Sequence, residues 1–207
     1  MAALIRREEW EVNARLRELR MPKEALLETV RAAVAAYGGC TDNDPPGAKG
    51  YETYRIGTRH LRVEMLPLKN GWNRDDAGNL CSIRNDEIAV KVVILNTDDA
   101  TGDALRTPKN RREKGVEHER AIEGVSRFFL GMEPNEDIRH AIWYLCLHIN
   151  EDKVLAELSR PSAIDGGFIV AWEERIILVA PGGWGALDIG ADDNDSGPEL
   201  EIDVRRK

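Results

Sequence analysis

Residues 87–120 read EIAVKVVILNTDDATGDALRTPKNRREKGVEHER, and the order of their parts decides how the rest of the chain is read. From Ile88 to Leu95 the run is apolar and mostly β-branched, broken only by Lys91. Such a run predicts a strand covered on both faces, and so a central one. An acidic loop, Asn96 to Asp103, follows it. A basic loop, Arg106 to Gly115, comes next, punctuated by Pro108. Ile122, Val125 and Phe129 then take helical spacing, predicting a helix from Val116 to Leu130 that Gly131 ends. A strand that empties into two charged loops brings polar side chains to the end of a sheet, where functional groups are commonly presented.

Upstream, residues 6–20 are predicted as a polar amphipathic helix with Val12, Leu16 and Leu19 on one side. Met21-Pro22 breaks it. A second helix, started by Pro22 and carrying Leu26, Leu27, Val30, Val34 and Tyr37, is expected to close at Gly38-Gly39 in left-handed conformation. Residues 41–50, TDNDPPGAKG, read as a loop. Tyr51, Tyr54 and Ile56, then Leu61, Val63 and Met65, nearly alternate and predict strands, with a turn over residues 71–79. Downstream, Ile142–Ile149 and Val154–Leu158 read as strands, the second stopped by Pro161. Gly166-Gly167 opens a further pair, Phe168–Trp172 and Arg175–Val179, turning at Glu173-Glu174. The expected fold is α+β: an N-terminal helical hairpin (1–39) packed on a largely antiparallel sheet (50–180), with one central helix. Residues 1–184 form the domain, and 185–207 an acidic mobile tail.

Composition narrows the function classes. The chain has 207 residues, is 42% hydrophobic and 32% charged, and carries a net charge of −8. That balance excludes a uniformly basic nucleic-acid surface but leaves room for a local basic patch. No apolar run approaches the roughly 20 residues of a membrane span. The N-terminus turns charged within six residues, unlike a secretory signal. Cys40, Cys81 and Cys146 form no CxxC pair, so the expected setting is cytoplasmic, with neither zinc ribbon nor disulfide framework.

Two neighbouring loops carry the candidate chemistry. Asp98, Asp99 and Asp103 offer the hard oxygen ligands that a divalent ion such as Mg²⁺ or Mn²⁺ takes; the plainer reading is a solvated turn with Asp side chains capping backbone N–H groups. Lys109, Arg111, Arg112 and Lys114 are the phosphate-binding candidates, since guanidinium groups grip phosphate bidentately; the plainer reading is a mobile surface loop. Carboxylates that hold a metal, with cations that hold a phosphate, follow the logic of phosphoryl chemistry. No GxxxxGK[ST] motif is present, and the string Glu151-Asp152-Lys153 falls on a turn rather than on the strand a PD-(D/E)xK nuclease requires. His118 is expected as an exposed helix residue. Trp143 and Trp172 are expected in the core, and Trp72 and Trp184 on the surface. The stretch Asp192–Gly197 copies half a calcium loop inside the acidic tail.

Four segments also resemble an uncharacterised family of bacterial proteins often carried on plasmids, phages and integrated elements. These are Arg59–Arg62 with Gly71-Trp72, IAVKVVILNTDDATG (88–102), TPKNRREKG (107–115) and AELSRPSAIDGGFIVAWEERIIL (156–178). The resemblance implies a setting of host defence, genetic conflict or element maintenance, and carries over no catalytic residue. The leading expectation is a protein that binds a phosphate-bearing ligand, nucleotide or nucleic acid, at the 97–115 loops, with a divalent metal. The alternative is a non-catalytic protein-binding module, an inhibitor or accessory subunit of a defence system, working through its N-terminal helices and acidic tail.

Overall fold

The computed structural model describes residues 3–115, 118, 119, 122 and 140–185. Among these the chain is α+β, with three α-helices and a seven-stranded mixed sheet. The elements are β1 (Leu4–Arg6), α1 (Glu9–Glu18), α2 (Lys23–Gly38), α3 (Ala48–Met65), β2 (Trp72–Asp75), β3 (Ser82–Asn85), β4 (Val90–Asn96), β5 (Ala141–Ile149), β6 (Val154–Asp165) and β7 (Phe168–Val179). The sheet order is β1-β7-β6-β5-β4-β3-β2. The β1–β7 and β4–β5 pairs are parallel and the other pairs antiparallel. No helix among the described residues is long and apolar enough to cross a membrane.

Most of the run 88–95 does build a central strand, which starts at Val90 after a turn in which Ala89 has φ of 51°. Val92 and Ile94 face the helices, in one cluster with Leu16, Leu26, Leu61 and Leu145. Val93 and Leu95 face the other way, with Tyr144, Cys146, Trp172 and Ile122. Lys91, the single charge of the run, is buried and pairs with Asp75 of β2 at 2.7 Å. Burial opposes ionisation of Asp75, yet its bonds to Lys91, to the Ala77 N–H and to Ser82 together hold its carboxyl below the usual range. Parallel β4 and β5 require a long crossover. Its described helical residues are His118, Glu119 and Ile122, of which Ile122 packs on the face opposite α1–α3. The remainder of the helix expected over 116–130 lies outside the described residues, as do the acidic tail and its calcium-loop-like stretch.

The largest correction is α3. Residues 51–65 form helix, not strands. The buried positions are Thr53, Gly57, Thr58, Leu61 and Met65, at helical spacing, whereas Val63 is 53% exposed. Gly57 and Thr58 are small and polar, so a hydrophobicity pattern passes over the two residues that make the contact. A Cβ at Gly57 would lie 3.4 Å from Ile94, so the glycine sets how closely α3 approaches β4.

Smaller corrections share one cause, ladder partners distant in sequence. Pro161 does not stop β6. Beyond Ser159 the strand has β7 on one side but no register with β5, and irregularities flank Pro161, which therefore withholds no ladder bond. Glu173-Glu174 is not a turn but mid-strand in β7, where Glu174 is bound by Arg15 of α1 at 2.9 Å and by Arg6 of β1, and Glu173 by Arg160 at 3.1 Å. Gly166-Gly167 is the tight turn of a single β6–β7 hairpin, with φ of 53° and 76°. The segment expected as a turn holds β2, whose Trp72 is buried and donates from Nε1 to the Arg20 carbonyl. Gly39 ends α2 with φ of −71°, right-handed rather than left-handed.

Candidate functional site

β3 pairs with β4 only from Val90 to Val93. Farther along the same edge, Lys109–Arg111 runs antiparallel to Asn96–Asp98. The Asp98 N–H donates to the Lys109 carbonyl at 3.0 Å, and the Arg111 N–H to the Asn96 carbonyl at 3.1 Å. Ile94 and Leu95 sit in the interval. A cleft of about 450 Å³ opens there, with Ile94 and Asn96 in its wall. Arg111, Arg112 and Lys114 line it from the basic loop and Lys49 from α3. Three of the four phosphate candidates therefore converge. Lys109 does not: its backbone is tied to Asp98, and its side chain is no part of the cleft wall.

The start of α3 forms another wall. Gly47 precedes the helix with φ of 90°, no side chain caps its first turn, and that turn holds no acidic residue. The Ala48 N–H donates to the Pro45 carbonyl at 3.0 Å, and the 18-residue helix brings the positive end of its dipole to the cleft wall at Gly47, Lys49 and Gly50. Asn96 Nδ2 donates to the Gly50 carbonyl at 2.7 Å, locking this helix start to the end of β4. Lys49 lies 5.1 Å from the centre of the Tyr37 ring, and its bond to Glu151 raises its pKa. Lys114 shifts the other way. Burial first, and the charge of Arg112 as well, lower its pKa, the condition under which a lysine gains most from an incoming anion.

The basic loop is anchored by hydrogen bonds at several points. Asn110 is buried and donates to the carbonyls of Arg112 at 2.7 Å and Gly167 at 2.9 Å, while accepting from the Ile169 N–H at 2.8 Å. The Lys114 N–H donates to the Gly167 carbonyl at 2.8 Å, and Trp172 Nε1 to that of Pro108 at 2.9 Å. Beneath the loop, Arg175 and Glu157 form a buried ion pair at 2.6 Å. Glu157 also accepts the Gly102 N–H at 2.7 Å, and Arg175 donates to the carbonyls of Arg106 at 2.7 Å and Asp103 at 3.0 Å. Asn110→Ala is expected to lower stability by about 2 kcal/mol in urea unfolding, because it strands the buried Ile169 N–H and removes the donor to the Arg112 carbonyl.

The aspartates are not assembled as a ligand set. Asp98 Oδ1 accepts the N–H groups of Ala100 and Lys109 at 3.2 and 3.1 Å, and Asp103 Oδ1 that of Leu105 at 2.8 Å. Asp99 pairs with Arg106 at 2.7 Å, which lowers its pKa. Among the described residues no three His, Cys, Asp or Glu side chains are grouped to hold a metal ion. Asp98 and Asp103 do what short polar side chains do in turns: they cap local backbone.

The chain matches no family model, no curated protein and no solved structure.

Sequence reasoning missed the contribution of α3 and the loop's foundation. Lys49 and Tyr51 read as loop and strand, although the string PPGAKG, with its glycine and prolines ahead of a lysine, is compatible with a helix start. Glu157 and Arg175 read as ordinary strand charges, 18 residues apart with nothing to pair them. His118 is a further correction. It is not an exposed helix residue but half-buried at the cleft, stacked on Tyr144 with ring centres 5.8 Å apart and with Nδ1 2.7 Å from the Tyr144 hydroxyl.

Proposed function

We propose that this chain binds a small phosphate-bearing ligand, a nucleotide, in the cleft between the start of α3 and the basic loop. The observation that carries this reading is convergence: Lys49, Arg111, Arg112 and Lys114 meet an uncapped helix N-terminus around one cavity. Cations supply charge-assisted bonds, and helix N–H groups supply fixed donors to phosphate oxygens. The cavity has the size of a small-molecule site. A chain of net charge −8 whose cations gather at a cleft of this size favours a single nucleotide over a nucleic-acid strand, which needs an extended basic track. The defence or maintenance setting that the resemblance implies is compatible with such binding.

Because the phosphate contacts come from the chain's own cations and N–H groups, no metal held by Asp98, Asp99 or Asp103 is needed for binding. Isothermal titration with pyrophosphate, ATP and GTP, with and without EDTA, tests this. Wild type is expected to bind and to keep pyrophosphate in EDTA. Arg112→Ala and Lys114→Met are each expected to weaken binding by roughly tenfold or more, one charged hydrogen bond lost in each case. Lys109→Ala, outside the cleft, is expected to bind normally. Absence of binding to all three compounds, or equal binding by the Arg112 and Lys114 variants, overturns the reading.

A further inference from the structure

The cleft does not end at the first turn of α3. Past Gly47 and Tyr51 it continues into a second hollow of about 690 Å³, between the end of α2 and the start of α3. Gly47, Tyr51 and Arg112 belong to both. The two halves differ in chemistry. Lys49, Arg111 and Lys114 line only the first, whereas the second has Pro45 and Pro46 for apolar surface and the carboxylates Asp44 and Glu52. At the junction Tyr51 is 61% exposed, a large aromatic residue on a helix that buries its other side. Gly47 keeps the junction in its present shape, since a Cβ there would lie 2.7 Å from Arg112 Nη2.

Resting on the phosphate-binding reading, we propose that the ligand is a nucleoside phosphate, with its phosphates in the basic cleft and its base against Tyr51 in the second hollow. The charges set the orientation. Glu52 is paired with Arg55 at 2.6 Å, so it is Asp44 that disfavours a phosphate in the second hollow, while carboxylate oxygens accept bonds from ribose hydroxyls and from amino groups on a base. A planar aromatic ring suits a base face of any sequence, so Tyr51 supplies affinity and the carboxylates supply selection. The aromatic body of the ligand is thereby part of what is recognised, not a passenger on its phosphates.

The test is titration of wild type, Tyr51→Phe and Tyr51→Ala with pyrophosphate, ribose 5-phosphate and ATP. Tyr51 is exposed on a helix and alanine is a strong helix former, so both variants are expected to fold. Wild type and Tyr51→Phe should bind ATP roughly tenfold or more tightly than pyrophosphate, the size of one base–ring stack. Tyr51→Ala should lose that advantage, weakening ATP far more than pyrophosphate. Ribose 5-phosphate should be indifferent to the ring. Equal wild-type affinity for ATP and pyrophosphate, or an ATP advantage that survives Tyr51→Ala, overturns the proposal while the phosphate site stands. If no compound binds at all, both fall together.

Discussion

Arg175→Met is expected to lower folding stability by about 3–5 kcal/mol in urea unfolding, the usual consequence of leaving one member of a buried ion pair without its partner. Glu157 is 0% and Arg175 2% exposed, so water cannot replace the missing guanidinium. The loss does not stop at the carboxylate. Arg175 also donates to the carbonyls of Arg106 and Asp103. In the variant these acceptors lose their buried donor, and the loop over 97–114 loses its floor. Hydrogen exchange should quicken there more than in the β5–β6 ladder. The double variant Glu157→Leu/Arg175→Met separates fold from site. Buried pairs replaced by apolar side chains commonly recover stability. Nothing apolar, however, can accept the Gly102 N–H or donate to Arg106. The double variant should therefore regain much of the stability while its pyrophosphate affinity stays low. Full recovery of both would mean that the pair holds the sheet together and has no part in placing the cations.

The same pair shows where the sequence is legible and where it is not. Ile88–Leu95 announces a central strand because seven apolar residues leave no polar face, and the structure fills both sides. The basic loop is equally visible, since charge density needs no knowledge of folding, and Arg111, Arg112 and Lys114 do converge. What cannot be seen is whatever depends on distant partners. The apolar residues among 51–65 fit two periods, and the contact that decides between them is made by Gly57 against Ile94, 37 positions away by residue number. Pro161 would end a strand flanked on both sides, but the sequence does not disclose that β5 stops pairing at Ser159. The aspartates mislead for a related reason. A turn that caps itself and a turn that binds metal share their residues, and only the N–H groups of Ala100, Leu105 and Lys109 tell them apart.

His118 yields the second large effect, one that depends on pH. Burial, with the charge of Lys114 adding to it, lowers its pKa from 6.5 to about 4. Burial also raises the pKa of Tyr144, so its phenol stays protonated and shares a hydrogen bond with Nδ1 of the neutral ring. Between the two values the unfolded chain holds a proton that the folded chain does not. The contribution is therefore fully present above pH 6.5, falls as the pH drops through that window, and levels off below about 4. Its full size is about 3 kcal/mol, from a separation of roughly 2.5 pH units. His118→Gln retains an acceptor for Tyr144 but does not titrate, so its urea-unfolding stability should be nearly flat from pH 6.5 to 4 while wild type declines. Parallel declines would assign the acid loss to other groups. Saturating pyrophosphate connects this to the cleft. An anion beside Lys114 and His118 favours the protonated ring, raising the folded-state pKa back towards 6.5. The acid decline of wild type should then become shallower with ligand present, and that of His118→Gln should not respond.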